Sequence, residues 1–218
     1  VGSYVIEALA RAGIGSLRLV DFDAVHCSNI NRQLLALEST VGLKKTDCAR
    51  ARIKDINPRC EVETAGLFAA EETVDELFSV EPDICVDAID GVNPKVSLLA
   101  EAWQKNIPVI SSMGAALRTD PFAVKYGDLF ASKGCPLAIH IRKRLRRKGI
   151  RSGIMCVYSD ERVQRKARRV ERDVTREGAE RGRQRKTLGS LPTLTGIFGL
   201  IIAHKVIETL CNGFMGDE

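Results

Sequence analysis

No two of the seven cysteines form a CxxC pair, since they stand at positions 27, 48, 60, 85, 135, 156 and 211. The spacing therefore indicates neither a zinc ribbon nor a thioredoxin-like redox site, which are both recognised by such pairs. The number of cysteines is also odd in a chain of 218 residues, so a disulfide scaffold is not indicated. Reduced thiols are the simplest interpretation, and they predict a cytoplasmic protein.

Long apolar runs are missing as well. The longest lies near residues 197–203 and is too short to cross a bilayer, so we expect no membrane insertion. Hydrophobic residues nevertheless make up 44% of the chain, which is enough for a continuous core. A chain of 218 residues then predicts one large domain, or one domain with a small appendage.

An excess of positive charge is missing outside one basic segment, residues 142–186. The segment contains 18 of the 33 Lys and Arg residues but 6 of the 28 Asp and Glu residues, a net charge of +12. Because the whole chain carries +5, the rest of it sums to −7. Such asymmetry is more typical of a protein that binds a polyanionic partner than of a protein that is basic throughout.

Strand-like and helical patterns alternate as far as about residue 111. The alternation predicts an α/β fold with a doubly wound, mostly parallel, Rossmann-like sheet and helices on both faces. A helical pattern opens the chain at residues 3–12, so we expect the first strand and most of a glycine-rich loop ahead of residue 1. After residue 114 the pattern predicts a smaller antiparallel and helical extension. We therefore expect a nucleotide-binding part at 1–115 and a substrate-binding and dimerisation part at 116–218.

Polar residues gather at the predicted carboxyl edge of the sheet, where open parallel sheets bind their ligands. Gly2–Ser3 begins the first helix, whose free N–H groups attract phosphate. Asp21 ends a strand, where a carboxylate can accept ribose hydroxyls. Arg32 and Lys45 follow in the next loop and helix, and Asp90 lies just past a later strand.

Two cations and one carboxylate suit a nucleoside triphosphate better than a dinucleotide, because the triphosphate must be neutralised before a nucleophile reaches its α-phosphorus. We therefore predict ATP and Mg²⁺ as cofactors, and Arg32, Lys45 and Asp90 as catalytic residues. Asp90 is the predicted metal ligand. Each residue also has a plainer interpretation, since Asp21 suits a cap and Asp90-Gly91 is a common turn. The order of the residues along the chain favours the nucleotide site.

The same order resembles the ThiF/MoeB/ubiquitin-activating-enzyme-like superfamily over residues 1–115. The motifs that carry the resemblance are Val20–Asp23, Ser28–Gln33, Val41–Lys45, Ile56–Pro58 and Asp87–Asp90. Members of the superfamily activate a carboxylate as an acyl-adenylate and release pyrophosphate. The resemblance also implies a homodimer, and an apolar helix predicted at 195–210 supplies a candidate interface.

The resemblance completes the set of expected cofactor-binding residues. They are Gly2, Ser3, Asp21, Asp23, Asn29, Arg32, Gln33 and Lys45. Within this set the resemblance implies that Asp21 holds the ribose and that Lys45 grips the triphosphate. It implies further that Asn29 and Arg32 approach the phosphates and that Asp90 serves the metal.

The second half resembles one branch of that superfamily, the tRNA threonylcarbamoyladenosine dehydratases (TcdA). The matching motifs are Asp128–Leu129, Pro136–Ala138, Arg142–Leu145, Cys156–Ser159 and Gly189–Pro192. The branch uses ATP to cyclise a threonylcarbamoyl group beside the tRNA anticodon. The resemblance therefore implies an ATP-dependent, adenylate-forming dehydratase acting on tRNA. The basic segment suits a tRNA partner, since phosphate neutralisation dominates such affinity.

Three other functions stay open at the level of sequence. The chain could activate the C-terminus of a ubiquitin-like or sulfur-carrier protein, with Cys156 as a thiol relay, although Cys156 also suits a buried structural thiol. A sulfur-transfer protein is a further candidate partner of the chain, beside tRNA. A nicotinamide-dependent oxidoreductase would use Asp21 but leaves the other cleft residues unexplained. A tRNA-binding module without catalysis would need only the basic segment. Asp128 is a candidate general base for cyclisation, but a capping role suits it better.

Overall fold

The computed structural model describes residues 1–162 and 188–214. Residues 163–186, which are most of the basic segment, lie outside the described residues. In the described ranges the helices are α1 (Gly2–Arg11), α2 (Lys45–Ile56), α3 (Val74–Leu77), α4 (Val92–Gln104), α5 (Pro136–Arg147) and α6 (Pro192–Phe214). The strands are β1 (Ser16–Val20), β2 (Glu61–Ala65), β3 (Cys85–Asp87), β4 (Val109–Ser112), β5 (Val124–Asp128) and β6 (Met155–Ser159).

The described strands form two hydrogen-bonded groups. In the first, β1 and β2 run parallel, with Ser16 opposite Glu61 and Val20 opposite Ala65. The second has the order β3-β4-β6-β5. In it β3, β4 and β6 are parallel, and β5 runs antiparallel to β6. The prediction of a mostly parallel, doubly wound sheet with an antiparallel extension is therefore confirmed.

Alternate residues of β4 face two different apolar clusters. Val109 packs with Leu99 of α4 and with residues of α5. Ile110 packs with Leu9 of α1 and Phe198 of α6. Since successive side chains of a strand point to opposite faces, helices cover both faces of the sheet. This layering leaves the carboxyl ends of the parallel strands as the place where loops and helix starts converge.

Helices α1 and α6 approach each other closely at a glycine. A Cβ added at Gly199 would lie 2.6 Å from the Cβ of Tyr4 and 2.8 Å from the carbonyl oxygen of Val1. No side chain fits in that space, so the approach depends on glycine. The contact ties the end of the chain to the helix whose start lies at the candidate site.

The stretch Pro192–Asn212 of α6 is long and apolar enough to cross a membrane by length and composition alone, with a mean hydropathy of 1.5. The helix packs against α1, β4, β5 and β6. Its residues Phe198, Ile202 and Val206 are buried in the core. A core helix of an α/β domain passes the same test of length and composition, and these contacts account for the apolar face of α6.

The elements differ from the sequence patterns in the second half. The pattern at 122–126 predicts a strand, but β5 begins at Val124. The cause is Asp120, whose side chain accepts a hydrogen bond from the Phe122 N–H at 2.9 Å and closes a 3-10 turn at Pro121–Ala123. Sequence patterns assign no strand to β6. It is buried by pairing with β4 on one side and β5 on the other, and such pairing is not visible in the sequence.

Candidate nucleotide-binding site

The start of α1 lies against the end of β3. A Cβ added at Gly2 would lie 3.5 Å from the Cβ of Ala88. Ser3 is buried, and its Oγ accepts a hydrogen bond from the Leu34 N–H at 3.0 Å. The first N–H groups of a helix have no carbonyl partner within it. The start of α1 therefore offers N–H donors in a space enclosed by the end of β3 and the loop after β1, where a phosphate can bind.

Two carboxylates at the end of β1 both lie near the ammonium group of Lys45, the first residue of α2. The Lys45 Nζ lies 2.6 Å from the Asp23 Oδ2 and 3.8 Å from the Asp21 Oδ2. The Asp23 N–H donates to the Asp21 Oδ1 at 2.8 Å, and the Lys45 N–H donates to the Asp23 carbonyl at 3.1 Å. The long loop after β1 thus returns Lys45 to the strand end through both backbone and side-chain contacts.

The electrostatics of Asp21 link the ends of β1 and β3. Burial raises the pKa of Asp21, Lys45 opposes the rise, and the carboxylates of Asp23 and Asp90 add to it. Asp90 follows β3 in an exposed loop, so its effect on Asp21 places that loop beside the end of β1. Three carboxylates and one ammonium lie at this edge. Such a balance suits a cation bound together with an anionic ligand.

The loop after β1 begins with a 3-10 turn, Cys27–Asn29, that buries the Asn29 side chain at 3% exposure. The Asn29 Oδ1 accepts from the His26 N–H at 3.2 Å. The N–H groups of Arg32 and Gln33 both donate to the Asn29 carbonyl at 3.0 Å. Asn29 therefore organises the turn that presents the next three residues.

The side chain of Arg32 is held by its own loop. One guanidinium nitrogen, Nη1, donates to the Ser28 carbonyl at 2.6 Å and to the Asn31 Oδ1 at 3.0 Å. Arg32 also lies near Val1, the residue that precedes α1. A cation therefore stands beside the N–H groups expected to bind phosphate.

Asn31 joins this loop to the C-terminal part of the chain. Its Oδ1 orients Arg32, while its Nδ2 donates to the Ser190 carbonyl at 3.2 Å. The Thr195 Oγ1 lies 3.5 Å from the Arg32 carbonyl. The start of α6 therefore supports the arginine loop. This role of Asn31 is not evident from the sequence, although its place in an Asn-rich motif offers a signal.

A buried ion pair near Asp90 is likewise not evident from the sequence. Asp87 ends β3 and Lys95 lies in the first turns of α4, and both side chains have 0% exposure. The Lys95 Nζ lies 2.5 Å from the Asp87 Oδ2, and the Ser111 Oγ donates to the same oxygen at 2.5 Å. Asp87 belongs to a recognised motif. Lys95 carries no signal in the sequence, because a helix lysine is normally exposed.

The surroundings of Asp128 and of the cysteines in the second half indicate structural roles. The Asp128 carboxylate accepts from the Phe130 N–H at 2.6 Å and from the Gly153 N–H at 2.8 Å, so the capping interpretation is confirmed. Cys135 and Cys156 are buried. Burial, followed by the neighbouring Cys135 and Asp128, raises the pKa of Cys156 to about 12. At neutral pH its thiol is therefore protonated and is a poor nucleophile.

The basic residues of α5 divide into two groups. Arg142 points inward, and its Nη1 donates to the carbonyl of Ser132 at 2.7 Å and to that of Leu129 at 3.2 Å. The exposed cations are those opposite the buried face of α5, together with two that follow the helix. They are Lys143, Arg144, Arg146, Arg147, Lys148 and Arg151, and we call them the α5 basic face.

The fold and the cleft together define an α/β protein with an edge suited to a nucleotide: helix N–H groups, an arginine, a lysine and several carboxylates meet where the parallel strands end. The ThiF family profile matches residues 1–217. The chain belongs to the ThiF family, and the family expected from the sequence motifs is confirmed.

Two curated relatives match nearly the whole chain. The tRNA threonylcarbamoyladenosine dehydratase of Bacillus subtilis (strain 168) is 40% identical over 210 residues, which cover 96% of this chain and 83% of that protein. The protein of the same name from Escherichia coli (strain K12) is 34% identical and covers 96% of this chain and 82% of its own length. The molybdopterin-synthase adenylyltransferase of Haemophilus influenzae is 33% identical over 120 residues, 55% of this chain.

A solved structure shares the fold along the whole chain. The crystal structure of the E. coli dehydratase TcdA in complex with ATP superposes with a TM-score of 0.85 at 31% sequence identity. The match covers 99% of this chain and 84% of that one.

Proposed function

We propose that this chain is an ATP-dependent dehydratase that cyclises threonylcarbamoyladenosine in tRNA through an acyl-adenylate. The observation that carries the proposal is the extent of the similarity. The two dehydratases match 96% of the chain, whereas the adenylyltransferase matches 55%. The additional matched length favours a dehydratase over an activator of a ubiquitin-like or sulfur-carrier protein.

In this proposal the cleft binds ATP. The N–H groups at the start of α1 bind phosphate oxygens, and Asp21 accepts the ribose hydroxyls. Arg32 and Lys45 neutralise the triphosphate, with Asn29 holding the turn that presents Arg32. Because Lys45 is paired with Asp23 at 2.6 Å, nucleotide binding exchanges a carboxylate oxygen for a phosphate oxygen. The lysine charge is compensated in both states, which limits the cost of the exchange.

Magnesium is expected to bind chiefly through the nucleotide. Within residues 1–162 and 188–214, no three His, Cys, Asp or Glu side chains are grouped closely enough to hold a metal ion by themselves. Mg²⁺ usually takes one or two protein carboxylates and fills its octahedron with phosphates and water. The exposed Asp90 fits that role, and a bound Mg²⁺ would neutralise charge on the phosphates.

The reaction then needs two displacements. A carboxylate oxygen of the threonylcarbamoyl group attacks the α-phosphorus of ATP, and pyrophosphate leaves. A nucleophile within the same group next attacks the activated acyl carbon, and AMP leaves with the former carboxylate oxygen. The proton of that nucleophile is released, so the substrate loses the elements of water. Ring closure within one group has a high effective molarity, so no enzymic nucleophile is required.

The surroundings of the cysteines agree with a route that has no thiol relay. Cys156 lies in β6 with 0% exposure, so its thiol offers no surface to a protein C-terminus. Cys135 precedes α5 and is 1% exposed. A relay also needs a thiolate, and the raised pKa of Cys156 opposes its formation at neutral pH.

The α5 basic face is the proposed tRNA contact among the described residues. Its side chains stand on the solvent side of a helix whose Ala138, Ile141 and Leu145 are all at 0% exposure. Exposed Lys and Arg bind a phosphate backbone mainly through counterion release, which needs accumulated charge more than fixed geometry. Arg142 is not part of this surface, because it holds the chain at residues 129–132.

The proposal includes a cytoplasmic homodimer with α6 near its interface. Leu200 of α6 is 53% exposed, and Ile197 and Ile201 beside it are half-buried. A partner subunit could cover this apolar strip. Sedimentation at micromolar concentration tests this part of the proposal, and a monomer there would remove it without affecting the proposed chemistry.

A single assay tests the chemistry. The purified protein is incubated with ATP, Mg²⁺ and tRNA that carries threonylcarbamoyladenosine, and the tRNA is digested to nucleosides for mass analysis. We expect a nucleoside lighter by one water, with AMP and pyrophosphate formed in equal amounts. Unchanged tRNA, together with adenylation of a sulfur-carrier C-terminus in a parallel reaction, would contradict the dehydratase proposal and favour the adenylyltransferase.

A further inference from the structure

The turn that carries Asp90 rests on a fully buried carboxylate. Asp87 and Lys95 both have 0% exposure. Removing two charges from water costs more than their attraction usually returns, so a buried ion pair is a weak device for stability alone. The position of this pair, directly under the edge where Asp90 and Asp21 meet, indicates another role.

All three hydrogens of the Lys95 ammonium have acceptors nearby. The Nζ lies 2.5 Å from the Asp87 Oδ2, 2.9 Å from the Ser112 carbonyl and 3.3 Å from the Ser111 Oγ. These acceptors belong to the ends of β3 and β4, where Asp87 stands opposite Ser111. One side chain of α4 therefore joins both strand ends.

The second oxygen of Asp87 reaches the turn itself. The Asp87 Oδ1 accepts a hydrogen bond from the Ile89 N–H at 2.9 Å, and Ile89 directly precedes Asp90. Because Lys95 and Ser111 fix the Oδ2, the carboxylate cannot rotate without breaking this bond. The position of the Ile89 N–H, and with it the start of the Asp90 loop, is thereby set.

We propose that Lys95 is a positioning residue that, through Asp87, fixes the Asp87–Asp90 turn and so presents the Asp90 carboxylate to magnesium-bound ATP. The inference rests on the proposed function, in which Asp90 serves the metal. Lys95 touches neither nucleotide nor metal. Lys95 therefore affects the magnesium-dependent part of the ATP affinity, because only that part depends on the Asp90 carboxylate.

The test separates positioning from folding with neutral double variants. Lys95→Met alone would leave the Asp87 charge uncompensated in the core, so it is avoided. The variant Asp87→Ala/Lys95→Met removes both charges and the acceptor of the Ile89 N–H. Its matched partner, Asp87→Asn/Lys95→Met, removes both charges but keeps an oxygen for that N–H. Leu145→Ala in α5 is the control for loss of stability at a distance, since Leu145 is also at 0% exposure.

Calorimetry measures the ATP dissociation constant with Mg²⁺ and with EDTA for each protein. We call the dissociation constant in EDTA divided by the dissociation constant in Mg²⁺ the magnesium enhancement. Asp90→Asn sets the value expected when the carboxylate contributes nothing. We expect Asp87→Ala/Lys95→Met to lower the enhancement by about tenfold or more. The Asp87→Asn/Lys95→Met variant should fall between this value and wild type. Metal-free ATP binding should stay within about threefold of wild type in both.

The outcomes distinguish this inference from the proposed function. A folded double variant, shown by its circular dichroism, that keeps the wild-type enhancement would overturn the positioning role alone. The same holds if Leu145→Ala lowers the enhancement as much as the double variants do. Wild-type protein that binds no ATP, or shows no enhancement, would overturn the role of the cleft and the inference together.

Discussion

The cleft and the α5 basic face are both rich in charge, but the charges are arranged in different ways. In the cleft, Lys45 lies within 4 Å of both Asp21 and Asp23, and the Asp90 carboxylate acts on Asp21. On the α5 basic face, side chains such as Lys143 and Arg147 stand in solvent on one side of a helix. One region is an interlocked set of opposite charges, and the other is a surface of like charges.

The difference predicts different responses to mutation. In an interlocked set each group positions and neutralises the others, so removing one disturbs the ligand and its neighbours together. Solvated cations act on a polyanion additively and through salt. The cleft should therefore control catalysis through single residues, while the α5 basic face should control affinity through its total charge.

The largest effect is expected at Lys45. Lys45→Ala should fold normally and lose about 10²–10³-fold in turnover, because one charge contact to the developing transition state is missing. Lys44→Ala is the matched control, since Lys44 is the exposed neighbour on the same turn. Steady-state assays of pyrophosphate release measure both. Turnover of Lys45→Ala within about threefold of wild type would remove Lys45 from the catalytic set.

A smaller effect is expected on the α5 basic face. Replacing Lys143, Arg147 and Arg151 by Gln should weaken tRNA binding and reduce the slope of log K against log salt by about 2 to 3. ATP affinity should not change. Filter binding of tRNA from low to moderate salt measures the slope, and Arg59→Gln, an exposed cation elsewhere, serves as control.

Arg142→Gln sharpens the same comparison from the other side. Arg142 donates to two backbone carbonyls beneath α5, so its loss should lower the melting temperature and leave the salt slope unchanged. If the slope fell as much with Arg142→Gln as with the triple variant, the division of α5 into inward and outward cations would be wrong.

A still smaller effect is expected from Asp21→Asn, and it depends on pH. The pKa of Asp21 is raised by burial, so its ionised form lowers the stability of the folded state at neutral pH. The variant should melt slightly above wild type at pH 7, and the difference should shrink as pH falls toward 3.8, the ordinary value for Asp. ATP affinity should fall at the same time. A lower melting temperature at pH 7 would show that the attraction between Asp21 and Lys45 outweighs the cost of burying the Asp21 charge.

The smallest effect is expected from two buried cysteines, Cys135 and Cys156. Cys135→Ala/Cys156→Ala should keep near-normal formation of the cyclic nucleoside, because the threonylcarbamoyl group supplies its own nucleophile. No thioester should accumulate on the enzyme. A hundredfold loss in a folded, ATP-binding double variant would correspond to about 2.7 kcal/mol of transition-state stabilisation and would favour a thiol relay.

Much of the cleft was predictable from the sequence. Asp21, Lys45 and Asp90 each follow a strand or begin a helix, and the carboxyl ends of parallel strands meet at one edge. Local patterns determine where strands and helices end, so they determine these positions as well. The roles assigned to these residues in binding and catalysis stay predictions.

Other features could not be predicted because they depend on contacts between distant parts of the chain. Arg142 looks like its neighbours in a basic run, and only the packing of α5 turns it toward residues 129–132. Asn31 looks like a surface amide, and only the return of the chain at Ser190 gives its Nδ2 a partner. In each case the sequence shows the residue type but not the direction in which the side chain points.

The sequence by itself determined the alternation of strands and helices, the order of the cleft motifs and the concentration of basic charge, because all three are properties of neighbouring residues. The tertiary structure alone decided the buried pair of Asp87 and Lys95. That pair requires Asp87 to stand opposite Ser111 across two strands and α4 to cover both ends. Register and coverage are set by packing over long sequence separations, so no local pattern distinguishes this lysine from one that faces water.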